Sequence, residues 1–427
     1  MAHRFDIVAQ QSKFAILVVL LKATSKFLSV LGLLTSCSDN ADVLVARSVK
    51  TQWLAVEEAQ LTGLNDLSAW QTQVNLGVGS QFDGAVVDLG FGYAAIAPAP
   101  LNPADFSPAV QVMRSMSSTK MSANFQRVFL SQLSVDWSDE AGFQQIATNV
   151  EQAAILTNQA QMRGMMLDIQ MYGKSAFAVP EQSALGFEAL EGVVRQRGAE
   201  LAAAWLRGFP TSEVMVSWAY AEMFRDVCIT GNDLRTHAYA LFPAFIDGMR
   251  QSLARNGNRS QLIDGYLPSY PARPASHFAT FKAAVHADED QLRKVWQPNI
   301  VTHLDALGNL RGPIQWPASY TVTCDAATAA RLRVPLKAAF GLMVDYEIDA
   351  FPRTLAPEVP RAAYGPGTFV PAMVAAARAS DSYVWLYSGL RSWWIDSPTR
   401  PRVGTATWQQ ISTARSQLVN DPLGGAQ

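Results

Sequence analysis

Three apolar, strand-like segments of this chain end in a carboxylate and follow it with an aromatic. They are GMMLDIQMYG, with Asp168 and Tyr172; QLIDGYLPSY, with Asp264 and Tyr266; and AAFGLMVDYE, with Asp345 and Glu347. Their lead-ins are continuous apolar runs rather than alternating ones, as strands buried on both faces require, and such strands belong to parallel sheets covered by helices. Several parallel strands that deliver acids and rings at their C-terminal ends predict an α/β fold of the (β/α)8 barrel type, a TIM barrel, whose chemistry sits on that face.

The spacing along the chain agrees. Eight candidate strands begin near Val43 (VLVA), Asp83 (DGAVVDL), Gln126 (QRVFL), Gly164 (GMMLD), Glu213 (EVMVSW), Gln261 (QLIDGY), Lys337 (KAAFGLMVDY) and Tyr383 (YVWLYS). A repeating strand, loop, helix and loop unit with long βα loops fits between them. Ser138 is placed to cap a helix with Asp139 and Glu140 in its first turn and Phe143, Ile146, Val150 and Ala154 along one face. A second stripe, Phe187, Leu190, Val194, Leu201 and Trp205, stops at Gly208-Phe209-Pro210, and a third runs from His277 to Trp296. Two stretches exceed a minimal barrel. Residues 89–125 hold Pro98, Pro100, Pro103 and Pro108, and residues 298–336 read as a lid, an extra hairpin or a long connection.

The N-terminus reads as a targeting segment. Arg4, Lys13, Lys22 and Lys26 precede or flank the apolar run FLSVLGLL, which ends at Leu34-Thr35-Ser36-Cys37. A positive flank, a short apolar core and small residues before the cut describe a secretory signal, and Leu-Thr-Ser-Cys looks like a bacterial lipobox with Cys37 as the lipidated residue. The expected organisation is a signal over 1–37, a polar tether over 38–42 and a single barrel over 43–427. The expected location is the periplasmic face, the outer membrane or the cell surface, with membrane contact only through the lipid anchor. Cys228 and Cys324 are then the remaining thiols. Export permits a disulfide between them, and two buried free thiols are the alternative, because sequence separation says nothing about proximity.

Composition removes several function classes. The formal net charge is −2 and charged residues make up 16% of the 427-residue chain, which argues against a nucleic-acid partner. The five histidines, His3, His237, His277, His286 and His303, show no HxH or HExxH arrangement, so no metal is expected. There is no GxSxG elbow, and the Gly patterns lack a phosphate-loop context, so no cofactor is expected.

Paired carboxyl groups and stacking rings are what cleavage of a sugar–sugar bond needs. Asp168 with one of Asp264, Asp345 or Glu347 is the candidate catalytic pair, and Asp88 and Asp136 follow two other strands. Aromatic faces stack on pyranose rings while phenol and indole groups meet hydroxyls. Trp137, Tyr172, Trp218, Tyr220, Tyr266, Tyr270, Tyr387, Trp393 and Trp394 all follow candidate strands and are expected, with Asp136 and Gln170, to contact a poly- or oligosaccharide. Each ring also has a plainer explanation in core packing, and each acid in helix capping.

The ordered series FDG (82–84), NFQRVFL with DW (124–137), RGMMLDIQMYG, RQRGAEL (195–201), LFPAFIDGM, LIDGYLPSY, FGLMVDYE and YVWLYSGLRSWW resembles bacterial glycoside-hydrolase-like barrel proteins. The resemblance implies a TIM barrel acting on glycans, with Asp168 at the end of the fourth strand in its site. It also implies acids where this chain carries Gln170, Leu267 and Gly389. Two functions follow as expectations: an exported glycoside hydrolase, or a glycan-binding lipoprotein that does not cleave.

Overall fold

Apolar runs that can be covered on both sides are laid down one after another from Gln52 onward, and helices with one apolar face fall between them. The computed structural model describes residues 51–60, 64–75, 81–117, 121–169, 175–181, 183–217, 220–257, 260–270, 272, 275–295, 300–304, 310–315, 320–344, 367–389, 391–394, 396 and 401–420. Its strands are β1 (Gln52–Gln60), β2 (Gly84–Asp88), β3 (Phe125–Val128), β4 (Gly164–Leu167), β5 (Glu213–Val216), β6 (Gln261–Asp264), β7 (Ile300–Leu304), β8 (Leu310–Gln315), β9 (Lys337–Ala338), β10 (Phe340–Met343) and β11 (Tyr383–Tyr387). All except β7 and β8 form one parallel sheet in the order β10-β11-β1-β2-β3-β4-β5-β6-β9. Only Ala339 separates β9 from β10, so these are two pieces of one bent strand. It pairs with β6 on one side and β11 on the other, and the ring closes through the bend. Nine pieces thus fill the eight places of a (β/α)8 barrel.

The first place in that ring belongs to Gln52–Gln60; the expected VLVA strand at Val43 lies outside the described residues, as does Cys37. Between β6 and β9 the chain makes an antiparallel hairpin, β7 with β8, which is one of the three forms expected for residues 298–336. The compact body spans Thr51–Gln417. No described helix is long and apolar enough to cross a membrane.

Register fixes which residues point inward, because paired positions on parallel neighbours share a face and facing alternates along each strand. Phe125 of β3 meets the ring of Tyr383 of β11 at 5.2 Å, and the Tyr383 hydroxyl donates to Glu213 Oε2 of β5 at 2.7 Å. These strands are not neighbours, so the three side chains meet inside the barrel. Arg163 closes that N-terminal end with two bonds to Glu213 Oε1, at 2.9 and 2.7 Å. Two residues further along each strand, Met166, Met215 and Ile263 form the next inward layer. Trp385 fills the interior beside them and donates from Nε1 to the Gly265 carbonyl at 2.7 Å. Its ring occupies the space beside Gly341, where a Cβ would lie 2.5 Å from it, so only glycine leaves room.

The outward residues Val128, Met165 and Leu167 pack on helix residues Leu201, Trp205 and Met249. These belong to the helices Phe187–Gly208 and Phe242–Arg255. The helix Glu140–Gln159 is capped by Asp139, whose side chain accepts from Gly142 N at 2.9 Å. The expected cap, Ser138, instead donates to Asp136 from both its amide and its hydroxyl. Aspartate one position later has the right backbone for the cap, and the serine is spent on the preceding turn.

Cys228 and Cys324 form a disulfide, with Cα atoms 4.6 Å apart across a sequence separation of 96. It ties the π-helical turn Arg225–Ile229 beyond β5 to the segment that enters the helix Ala326–Leu332, and Thr323 adds two bonds to the Cys228 carbonyl. Closing so long a loop restricts the unfolded chain. Replacing both cysteines by serine is expected to lower the unfolding free energy by about 2–4 kcal/mol. Denaturant unfolding with and without reductant measures this; midpoints that coincide would remove the bond from the account.

Candidate functional site

At the C-terminal end of the barrel the inward layer above Met166, Met215 and Ile263 consists of Asp168, Ser217 and Gly265. A small recess lies there, bordered by Val56, Arg127, Met166, Asp168, Ser217, Leu267, Tyr270, Trp385 and Tyr387, with room for little more than one water molecule. Among the described residues bordering it, Asp168 is the one carboxylate. Its Oδ2 accepts from Arg127 Nε at 3.0 Å and from Nη2 at 2.5 Å, and Ser217 Oγ lies 3.5 Å from Oδ1. Both partners of this ion pair are buried, Asp168 at 6% exposure. Arg127 in turn lies over the Phe129 ring, 4.7 Å from its centroid. Across the recess Tyr270 and Tyr387 lie parallel, with centroids 5.6 Å apart and planes 6° apart.

Asp264 ends its strand as Asp168 does, but one residue out of phase. It pairs in register with Val216, which is level with Leu167, so its side chain stands on the outward face. There it accepts from Tyr266 N at 2.9 Å and Ala221 N at 3.2 Å, and it is 1% exposed. Burial pushes its pKa up to about 7, against the pull of those backbone amides. A carboxyl titrating there would suit a proton donor, but geometry precedes pKa, and Asp264 does not border the recess. The structure therefore does not bring Asp264 together with Asp168.

Behind Asp264 lies a buried polar cluster. Tyr266 donates its hydroxyl to Glu222, Glu222 pairs with Arg225, and Arg225 holds Asp226 Oδ1 through Nε at 2.8 Å and Nη2 at 2.6 Å. His237 Nε2 is 3.3 Å from Asp226 Oδ2. Burial pushes the Glu222 carboxyl up, opposed by the Arg225 charge, while Arg225 and His237 outweigh burial at Asp226 and hold it down. Tyr266 sits in the left-handed region, φ 41°, a conformation its neighbours must impose.

The remaining expected residues divide clearly. Tyr270 and Tyr387 border the recess. Trp137 is packed among Phe143, Phe177 and Phe245 and donates to the Ala176 carbonyl at 2.7 Å. Tyr220 donates to the Arg331 carbonyl at 2.7 Å, and Tyr266 packs on Phe281. Trp393 donates to the Val56 carbonyl at 3.0 Å and Trp394 packs on Trp70, both rings buried. Asp136 is an exposed turn acid lowered first by its Ser138 hydroxyl bond and then by the Ser138 amide. Asp345, Glu347, Gln170, Tyr172 and Trp218 lie outside the described residues. Arg127, Ser217 and the Glu222–Arg225–Asp226 cluster were not singled out from the sequence. A cation inside the apolar run NFQRVFL was the available signal for Arg127. Among the described residues no group of three or more His, Cys, Asp or Glu could hold a metal ion.

No protein-family model and no curated protein matches the chain. Among solved structures it is similar to the full-length tri-modular endo-beta-1,4-glucanase B from Bacillus halodurans, at 8% identity over 87% of this chain and 61% of that one, with a TM-score of 0.42. The chain thus spans about three fifths of that endoglucanase's length. It is similar also to xylanase A of P fluorescens subsp. cellulosa in complex with xylopentaose (11% identity, 87% and 99% covered, TM-score 0.42). Endonuclease IV from Thermus thermophilus is a third (11% identity, 86% and 99% covered, TM-score 0.36). Barrels of this kind host unrelated chemistries, so the chemistry has to be read from the chain's own residues.

Asp264 yields a pH test. Its folded pKa is raised from 3.8 to about 7, so between those values the folded state holds a proton that the unfolded chain has released. The stability this contributes is present at low pH and is lost as pH rises through about 7, on the order of 4 kcal/mol. Urea unfolding at about pH 5 and about pH 8 should show a smaller loss for Asp264→Asn than for the wild type. Parallel losses would show that Asp264 is not titrating in this range.

Proposed function

We propose that the chain is an exported glycoside hydrolase, cleaving a poly- or oligosaccharide at the C-terminal mouth of its barrel. The observation that carries this reading is one recess with a fixed carboxylate, Asp168, on one wall and two parallel phenols, Tyr270 and Tyr387, on the other. A pyranose ring offers C–H faces to aromatic rings and hydroxyls to charged groups; the residues bordering the recess supply both kinds of partner, and their side chains part to admit a ring.

Glycoside hydrolysis takes two carboxyl groups. Asp168, held in place by the Arg127 fork, is the proposed nucleophile or base. The proposed proton donor is Asp345, with Glu347 as the other candidate. Both are strand-end acids in the sequence and lie outside the described residues. A carboxyl separation of about 5 Å would give retention of configuration, and about 6.5–9.5 Å inversion. The Cys228–Cys324 disulfide supports an oxidising compartment, and with the N-terminal Leu34–Cys37 motif it favours a lipid-anchored protein outside the cytoplasm.

A second reading is glycan binding without cleavage. The observation favouring it is that Asp168 is the one carboxylate among the described residues bordering the recess. Release of reducing ends from plant, algal and microbial polysaccharides separates the two. Wild type is expected to release sugar from one of them, and Asp168→Asn and Asp345→Asn to lose at least about 100-fold. Binding by wild type without release would favour the second reading, and no binding to any polymer would reject both.

A further inference from the structure

Beyond the recess, the loop after β2 carries an aromatic platform that no part of the proposed chemistry uses. Tyr93 lies face to face on Phe129, with centroids 3.9 Å apart and planes 8° apart, and it is 40% exposed, one of three large hydrophobic side chains so exposed among the described residues. Phe129 is the ring beneath the Arg127 guanidinium, which holds Asp168. A single line of contacts therefore runs from Asp168 through Arg127 and Phe129 to Tyr93 at the surface. Tyr387 borders the same recess as Asp168.

The platform is held in place by the chain's own chemistry. Asp88, buried at the end of β2, accepts from Gly90 N and Gly92 N, both at 2.9 Å, and from Gln126 Nε2 at 3.1 Å. The Gly92 carbonyl accepts from Phe129 N at 3.3 Å. A Cβ on Gly92 would lie 2.3 Å from the Arg127 carbonyl, so glycine alone lets the loop close against β3 and set the next residue, Tyr93, over Phe129. A tyrosine fixed in this way loses little freedom when a ligand stacks on it.

We propose that Tyr93 is an outer sugar-binding subsite, stacking a pyranose ring of a saccharide chain that crosses the mouth from Tyr387 past Asp168. The proposal rests on the glycan reading above. It extends that reading to a cleft binding several sugar units on both sides of Asp168, so that affinity grows with chain length.

Affinity electrophoresis of the folded protein in gels containing glucan, xylan, mannan, galactan or chitosan tests this, with wild type, Tyr93→Ala and Tyr93→Phe run together and thermal melting of each as the control for folding. The expected result is retardation of wild type by one polymer, about five- to tenfold weaker affinity for Tyr93→Ala, and near-wild-type affinity for Tyr93→Phe, which keeps the stacking face. Equal retardation of wild type and Tyr93→Ala would overturn the subsite while leaving the glycan reading in place. A wild type retarded by none of the polymers would overturn both. Loss of affinity in Tyr93→Phe as large as in Tyr93→Ala would replace stacking by a role for the hydroxyl and likewise overturn the platform.

Discussion

The two-residue alternation of a closed parallel sheet governs everything at the mouth of this barrel. Neighbouring strands are locked in register, so one residue of phase sends a side chain either into the barrel or out among the helices. Asp168 is level with Ser217 and lies inside; Asp264 is level with Val216 and Leu167 and lies outside. Two acids that each end an apolar strand are thereby given different work. The inner one borders a recess and meets Arg127, and the outer one accepts from the amide of Tyr266 in the loop that follows it and from that of Ala221 in the helical turn after β5.

The Arg127–Asp168 pair carries a cost that shapes the site. Taking both charges out of water is unfavourable, and two good hydrogen bonds offset it only while both partners remain; removing one alone costs roughly 3–5 kcal/mol. Loss of activity on changing Asp168 therefore has to be separated from loss of fold, which is why asparagine, able to keep accepting from the guanidinium, is the informative replacement. The same pair positions Phe129 and through it Tyr93, so charge and stacking at the mouth belong to one connected arrangement. The cluster of Glu222, Arg225 and Asp226 is a second buried ionic group, held beside the disulfide at Cys228 and behind the outward Asp264.

The barrel was legible because most of its strands are apolar runs on both faces. Seven of the eight candidate strands coincide with barrel strands. The first barrel strand begins nine residues after Val43, because QWLAVEEAQ carries two acids, Glu57 and Glu58, that hide it beside the uninterrupted VLVA. Asp168 could be found as a strand-end acid, but its difference from Asp264 could not, since phase depends on pairing with distant strands. Trp393 and Trp394 looked like loop rings and are core, because the chain beyond β11 folds back so that Ser392 and the Trp393 amide bind the buried Glu57. Tyr93 escaped notice inside a proline-rich stretch whose shape depends on Asp88 reaching over to two glycine amides. The Cys228–Cys324 bond was left open because a separation of 96 residues carries no distance.

The central claim is that saccharide binds across the mouth at the Arg127–Asp168 pair. A crystal structure of Asp168→Asn grown with an oligosaccharide of the polymer that the wild type retains tests it most directly. The account predicts sugar rings lying between Tyr387 and Tyr93, with a glycosidic oxygen within hydrogen-bond reach of residue 168. Sugar bound elsewhere on the protein, with this recess closed by its own side chains, would contradict it.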